Sequence, residues 1–202
     1  AEMTAKAAPD GYTLLLGGGG ETAANGALFK SKITYDPIKE LRVIAIVGEL
    51  PTVAVTNLQT PATDLRSFAA YAKANDGKLN FASLGQGNVL YLTARKIEGE
   101  LGIRMTEVPY KGSAPSLTAL MANDVQFYTD VLPGALPFIQ SGKLKALAVP
   151  MSKRISWLPD VPTLEEAGYG AFHAASWLGW AVPAATPPDV VAVNPVPVRV
   201  WI

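Results

Sequence analysis

Residues 79–89 read LNFASLGQGNV. Leu79 to Ala82 is a short, mostly apolar strand, and Ser83 to Asn88 is a loop of small and polar residues. Val89 then opens a helix in which Val89, Ala94, Ile97 and Leu101 fall roughly on one stripe, stopped near Gly102. The same step recurs downstream. Ile103 to Val108 is a strand, Pro109-Tyr110-Lys111-Gly112 a loop, and Ser113 caps a helix running through Leu117, Leu120 and Met121. Val125 to Thr129 is a strand ending at Asp130, and Pro133 to Gln140 is a short helix stopped by Gly142. Upstream, Asp64 caps a helix with Leu65, Phe68, Ala69 and Ala72 at helical spacing, ended by Asn75-Asp76-Gly77. Strands that alternate with ten-residue helices predict an α/β fold with a parallel sheet.

Further out, the pattern is less regular. Lys145 to Val149 and Ser176 to Val182 read as strands, with one helical turn over Thr163 to Ala167 between them. Leu41 to Val47 and Thr52 to Thr56 are β-branched-rich runs separated by Gly48-Glu49-Leu50-Pro51, and together they predict one long, interrupted strand. Tyr12 to Leu16 reads as a buried strand running into Gly17 to Gly20, followed by a short helix over Glu21 to Lys30. Residues 1–8 read as the tail of a helix. After Pro187-Pro188 the prolines forbid a helix and discourage a central strand as far as Ile202.

Composition narrows the function classes. The 202 residues carry 17 basic and 17 acidic side chains, a balance that argues against a protein living on nucleic-acid phosphates. There is no cysteine, so a disulfide framework or thiolate metal site is excluded, and a single histidine removes most zinc, haem and triad sites. No run reaches the ~18 to 20 apolar residues that span a bilayer. The chain opens Ala1-Glu2-Met3 without a charged start leading into an apolar run, so it is expected either to be cytosolic or to have lost a signal peptide.

Catalytic constellations are weak. Ser83 stands at a strand end, but its surroundings lack the first glycine of a nucleophile elbow, and the sole base is His173 in Gly170-Ala171-Phe172-His173-Ala174. Neither Gly17 to Gly20 nor Gly85-Gln86-Gly87 leads into Gly-Lys-Ser/Thr, and Leu90 occupies the third glycine position of a dinucleotide fingerprint. Glu165 and Glu166 are neighbours that diverge on a short helix, and Glu107, Asp124 and Asp130 show no ligand spacing for a metal. No cofactor is expected.

The positive signal lies in the loops. Gly17 to Thr22, Ser83 to Asn88 and Pro109 to Ser113 are strand-to-helix junctions, and such junctions lie at the carboxyl edge of a parallel sheet, where ligands bind. Each following helix offers unpaired N–H groups and the positive end of its dipole. Small residues such as Ser83, Gly85 and Gly87 let a ligand approach the backbone, and a carboxylate is the natural guest.

At these residues the chain resembles the tripartite tricarboxylate transporter substrate-binding proteins, also called the Bug family. Matching segments are Ala8 to Leu15, Tyr35-Asp36-Pro37, Gly77 to Ser83, Val108 to Pro115, Ser141 to Val149, Leu158 to Gly168 and Ala175-Ser176-Trp177, in order from about residue 4 to about residue 188. The resemblance implies a type II periplasmic-binding-protein-like fold: two α/β lobes joined by β-strand hinges, with a ligand cleft between them. It places residues 1–52 and 177–202 in a first lobe and residues 53–176 in a complete second lobe, with crossings near Gly48 to Thr52 and Ala174 to Trp177. The family's first strand with its Pro-Gly-Gly loop, and its C-terminal helices, have no counterpart, so the first lobe is expected to be incomplete, and the chain either to pair with another chain, a second copy included, or to bind ligand weakly.

The implied function is a non-enzymatic periplasmic receptor that captures a small di- or tricarboxylate and passes it to membrane permease subunits. The implied ligand-binding residues are Gly18, Gly19, Thr22, Ser83, Gly85, Gln86, Gly87, Asn88, Tyr110, Lys111, Gly112 and Asp130. Asp130, which cannot attract a carboxylate, is expected to orient water, a ligand amino or hydroxyl group, or backbone N–H groups. Tyr91 stands where the family often has histidine, and four glycines stand where its first-lobe loop usually carries Ser or Thr. Two other classes remain open at this point: an interaction or sensory protein that keeps the fold without a ligand, and a small hydrolase using Ser83 and His173.

Overall fold

The computed structural model describes residues 1–20, 22, 26 and 32–193. In chain order the elements are α1 (Glu2–Ala5), β1 (Leu15–Gly17), α2 (Pro37–Glu40), β2 (Leu41–Thr56), α3 (Leu65–Ala74), β3 (Leu79–Ser83) and α4 (Val89–Leu101). Then follow β4 (Met105–Pro109), α5 (Ser113–Met121), β5 (Tyr128–Val131), α6 (Leu132–Gln140), β6 (Lys145–Ala148), β7 (Ala175–Pro183) and α7 (Pro188–Val193). Two compact units result: Ala1–Leu50 with Ser176–Ile202, and Pro51–Ala175. The expected boundaries were 1–52 with 177–202, and 53–176. The chain changes unit inside β2 and at the start of β7.

The second unit is built on a mixed sheet. β3 pairs with β4 in parallel, and Phe81 bridges Phe127 in parallel, so β4, β3 and the approach to β5 run the same way. β2 pairs antiparallel with both β5 and β6, with Ala54 opposite Thr129 on one side and Ala148 on the other. The parallel sheet expected from the helix–strand alternation is therefore corrected at one strand. β2 arrives from the other unit rather than through a crossover helix, and the alternation of neighbours in sequence carries no information about it.

Period-two alternation sorts the strand residues into two cores. Phe81, Phe127, Ala54 and Ala148 pack with Leu65, Phe68 and Ala72 of α3 and Ile97 and Leu101 of α4. Ala82, Tyr128, Val53, Val55 and Val149 pack with Leu117 and Leu120 of α5 and Leu132 and Ala135 of α6. The unit is thus a helix–sheet–helix sandwich, and each fully buried Leu or Phe contributes about 1.5 to 3 kcal/mol of burial. Helix ends follow local chemistry. Asp64 and Ser67 form a reciprocal capping box on α3, and Gly102, at φ +60°, closes α4 in the left-handed conformation.

In the first unit β1 is antiparallel to β7, with Leu16 opposite Trp180 and Gly17 opposite Gly179. A side chain at Gly179 would meet the Ala45 carbonyl at 2.7 Å and the Trp177 ring at 2.9 Å, so close strand approach demands glycine there. Asp36 caps α2 by accepting from the Ile38 and Lys39 amides at 3.0 and 3.2 Å, with Pro37 at the first helical position.

Several local expectations change. The Tyr12–Leu16 segment is not a buried strand: pairing begins only at Leu15, and Tyr12 and Leu16 are exposed. β2 is uninterrupted through Gly48 to Pro51; the ladder with β5 starts at Thr52, so the missing N–H of Pro51 costs no bond in that ladder. The helical turn expected over Thr163 to Ala167 is present, the Ala167 amide donating to the Thr163 carbonyl at 3.0 Å, and further turn bonds carry it to Tyr169. Pro188 does not forbid a helix but starts one, because a first-turn residue needs no N–H partner. The reading of residues 194–202 lies outside the described residues. So does most of the helix expected over residues 21–30, of which Thr22 and Gly26 are described and helical.

Candidate functional site

β4, β3 and β5 are neighbours in the second unit, so the loops that follow them meet at one edge of its sheet. Ser83 lies opposite Pro109, and the Tyr110 amide donates to the Ser83 carbonyl at 2.8 Å, which joins the first two loops. The Thr129 hydroxyl donates to the Leu90 carbonyl at 2.6 Å and fastens the first turn of α4 to β5.

The Ser83–Asn88 loop builds itself. The Gly85 amide donates to the Ser83 hydroxyl at 2.8 Å, and the Asn88 amide to the Gly85 carbonyl at 3.3 Å. Asn88 caps α4, its side chain accepting from the Leu90 amide at 2.9 Å. Gly85 and Gly87 sit at φ +91° and +92°, where only glycine is at ease. Ser83 is consequently buried, Gln86 is exposed, and Gly85, Gly87 and Asn88 are half-buried.

Ser113 does not cap α5. Gly112, at φ +123°, holds that position without a side-chain bond, and Ser113 is the first helical residue. Its hydroxyl donates instead to Oδ2 of Asp130. Asp130 is fully buried; its Oδ1 accepts from the Tyr128 hydroxyl at 3.2 Å and the Val131 amide at 2.9 Å. Burial raises the Asp130 carboxyl above its ordinary pKa, opposed by the bonds from Ser113, Val131 and Tyr128. Burial likewise raises the Tyr128 phenol, with the Asp130 charge adding to it.

The structure brings Ser83, Gly85, Gln86, Gly87, Asn88, Tyr110, Lys111, Gly112 and Asp130 to this one edge. Lys111 is exposed, and Tyr110 and Gly112 are half-buried. Gly18, Gly19 and Thr22 belong to the first unit. There the Thr22 hydroxyl donates to the Gly18 carbonyl at 2.7 Å, and a side chain at Gly19 would stand 3.2 Å from the Trp177 indole nitrogen.

What the edge offers is backbone polarity. α4, α5 and α6 begin at adjacent strand ends, and their first-turn N–H groups have no partner within the helix. Ser113 and Ala114 supply such donors on α5, while Pro115 supplies none. Converging helix starts favour an anion. The Ser83 hydroxyl accepts from its own loop, and His173 is exposed. Among the described residues no three metal-ligating side chains gather, and no helix is long and apolar enough to cross a membrane.

Sequence reasoning missed Tyr128, the pairing of Ser113 with Asp130, and Gly134. Gly134 lies inside α6, where glycine is unfavourable unless space requires it, and that was the available signal.

Comparisons with known proteins agree on a family. The model of the tripartite tricarboxylate transporter family receptor matches residues 1–194. The protein BugT of Bordetella pertussis is 34% identical over 192 residues, covering 95% of this chain and 59% of that protein. Among solved structures, Rpa4515 of R. palustris with adipate is 30% identical with a TM-score of 0.88, covering 95% of this chain and 64% of that one. MatC from Rhodopseudomonas palustris with bound malate is 37% identical with a TM-score of 0.84, covering 95% and 65%. The chain thus spans less than two thirds of the length of these relatives.

Proposed function

The chain belongs to the tripartite tricarboxylate transporter receptor family, and from that premise we propose that it is a periplasmic solute receptor for a small di- or tricarboxylate, which it hands to membrane permease subunits. The carrying observation is the row of helix starts after β3, β4 and β5, whose first-turn N–H groups have no partner within the helix and would favour an anion. The adipate- and malate-bound relatives support a carboxylate as the guest. Capture rather than turnover is the role, in keeping with side chains that serve loop geometry at Ser83, capping at Asn88 and bonding within the unit at Asp130.

Calorimetry tests the reading. The protein is unfolded and refolded to strip retained ligand, then titrated with succinate, malate, adipate, citrate and glutamate. At least one is expected to bind and to raise the melting temperature. No heat and no thermal shift with any of the five would overturn the assignment.

A further inference from the structure

Asp130 was expected at the ligand site, orienting water, a ligand group or backbone N–H groups, and in the structure it bonds two hydroxyls and one backbone amide of its own unit. The side chain is fully buried, and its two oxygens take donors from Ser113, Tyr128 and Val131. Ser113 is the first residue of α5 and lies 17 positions away in sequence, so this contact fixes where α5 begins relative to the end of β5. The third participant is a glycine. A methyl group at Gly134 would stand 2.8 Å from Oδ2 of Asp130 and 3.0 Å from Oγ of Ser113, the two atoms of that bond. Gly134 lies in the first turns of α6 and is not among the positive-φ glycines, so backbone conformation does not demand glycine there. What demands it is the closeness of α6 to the Ser113–Asp130 pair.

We propose that Asp130 and Gly134 are positioning residues of the carboxylate site: acting through Ser113, they set the location of the first turn of α5 at the sheet edge, and neither touches the ligand. The inference rests on the receptor reading above. It assigns Asp130 to the scaffold, since a carboxylate aimed at the guest would oppose the field of the helix starts. Tyr128 completes the arrangement by donating to the oxygen that Ser113 leaves.

Two measurements test it, one with ligand and one without. In titrations with whichever of the five acids the unaltered protein binds, Gly134→Ala and Asp130→Ala are each expected to weaken affinity by roughly tenfold or more, the scale of losing a charged hydrogen bond. Asp130→Asn keeps the same volume and, with its oxygen toward Val131 and Tyr128, can donate from Nδ2 to the Ser113 hydroxyl, and is expected to stay within about threefold of the unaltered protein. If Asp130→Asn loses as much as Asp130→Ala, the carboxylate contacts the ligand and the proposal is wrong. Amide hydrogen exchange without ligand is the second readout: Gly134→Ala is expected to speed exchange at residues 116–118 but not in α3. Unchanged exchange there overturns the proposal even if no acid binds, whereas absent binding by the unaltered protein counts against the receptor reading alone. Circular dichroism checks the fold of each variant, and Gly134→Ala with Asp130→Asn decides the matter should Asp130→Ala fail to fold.

Discussion

Single side chains here act mostly on the backbone. Asp64 accepts from the Ser67 amide at 2.7 Å, and that bond, with one from the Ser67 hydroxyl, holds its carboxyl below the usual range. Asp64→Ala should therefore lower stability by about 1 kcal/mol in a urea titration at neutral pH. Because the folded pKa is depressed, the difference between the two proteins should shrink as pH falls through that value. Asp130 has the opposite sign. Burial raises its folded pKa, so the native state holds the proton longer than the unfolded chain, and the unaltered protein loses stability as pH climbs from about 4. Against Asp130→Asn, its relative stability should fall over that window and level off above the raised value; a flat difference from pH 4 to pH 8 contradicts the burial argument. Gly102→Ala isolates conformational strain, since nothing lies within 4 Å of a side chain placed there. It should cost about 1 kcal/mol, and Gly102→Asn less.

At the scale of elements, the second unit depends on strands buried on both faces. Phe127 is fully buried and packs on Phe68 of α3 with ring centroids 5.1 Å apart. Phe127→Ala should cost about 3 to 5 kcal/mol, while Ile46→Ala on the exposed side of β2 should change stability by under about 0.5 kcal/mol. Equal losses at the two positions would contradict the assignment of the core. The helices of this unit were legible because their apolar spacing and ends are local: Asp64 and Gly102 both mark ends that the structure bears out. Strand pairing was less legible. Leu41 to Thr56 carries the residues of a strand, but neither its continuity through Pro51 nor its antiparallel place between β5 and β6 is written in those residues.

For the chain as a whole, 17 basic residues balance 17 acidic ones, so the proposed carboxylate recognition is assigned to the local dipoles of the helix starts rather than to net charge. We expect Lys111→Ala to weaken carboxylate binding by less than about threefold, as for an exposed charge. A loss of a hundredfold would transfer recognition from the backbone to that lysine. At a ligand concentration 100 times the dissociation constant, binding should add about 2.7 kcal/mol to stability, readable as a rise in Tm.

The sequence by itself determined the βα steps from Asp64 to Gln140, the helix ends at Asp64 and Gly102 and the loops that meet at the sheet edge, because hydrophobic period, capping and turn chemistry operate within a few residues. The family followed from the same segments. Only tertiary structure decided the direction of β2, the burial of Ser83 and Asp130, and the diversion of Ser113 from helix cap to carboxylate partner. Each of those depends on groups far apart in the chain that compete for one hydrogen bond or one space, as Gly134 shows by leaving room for a contact made between two other elements.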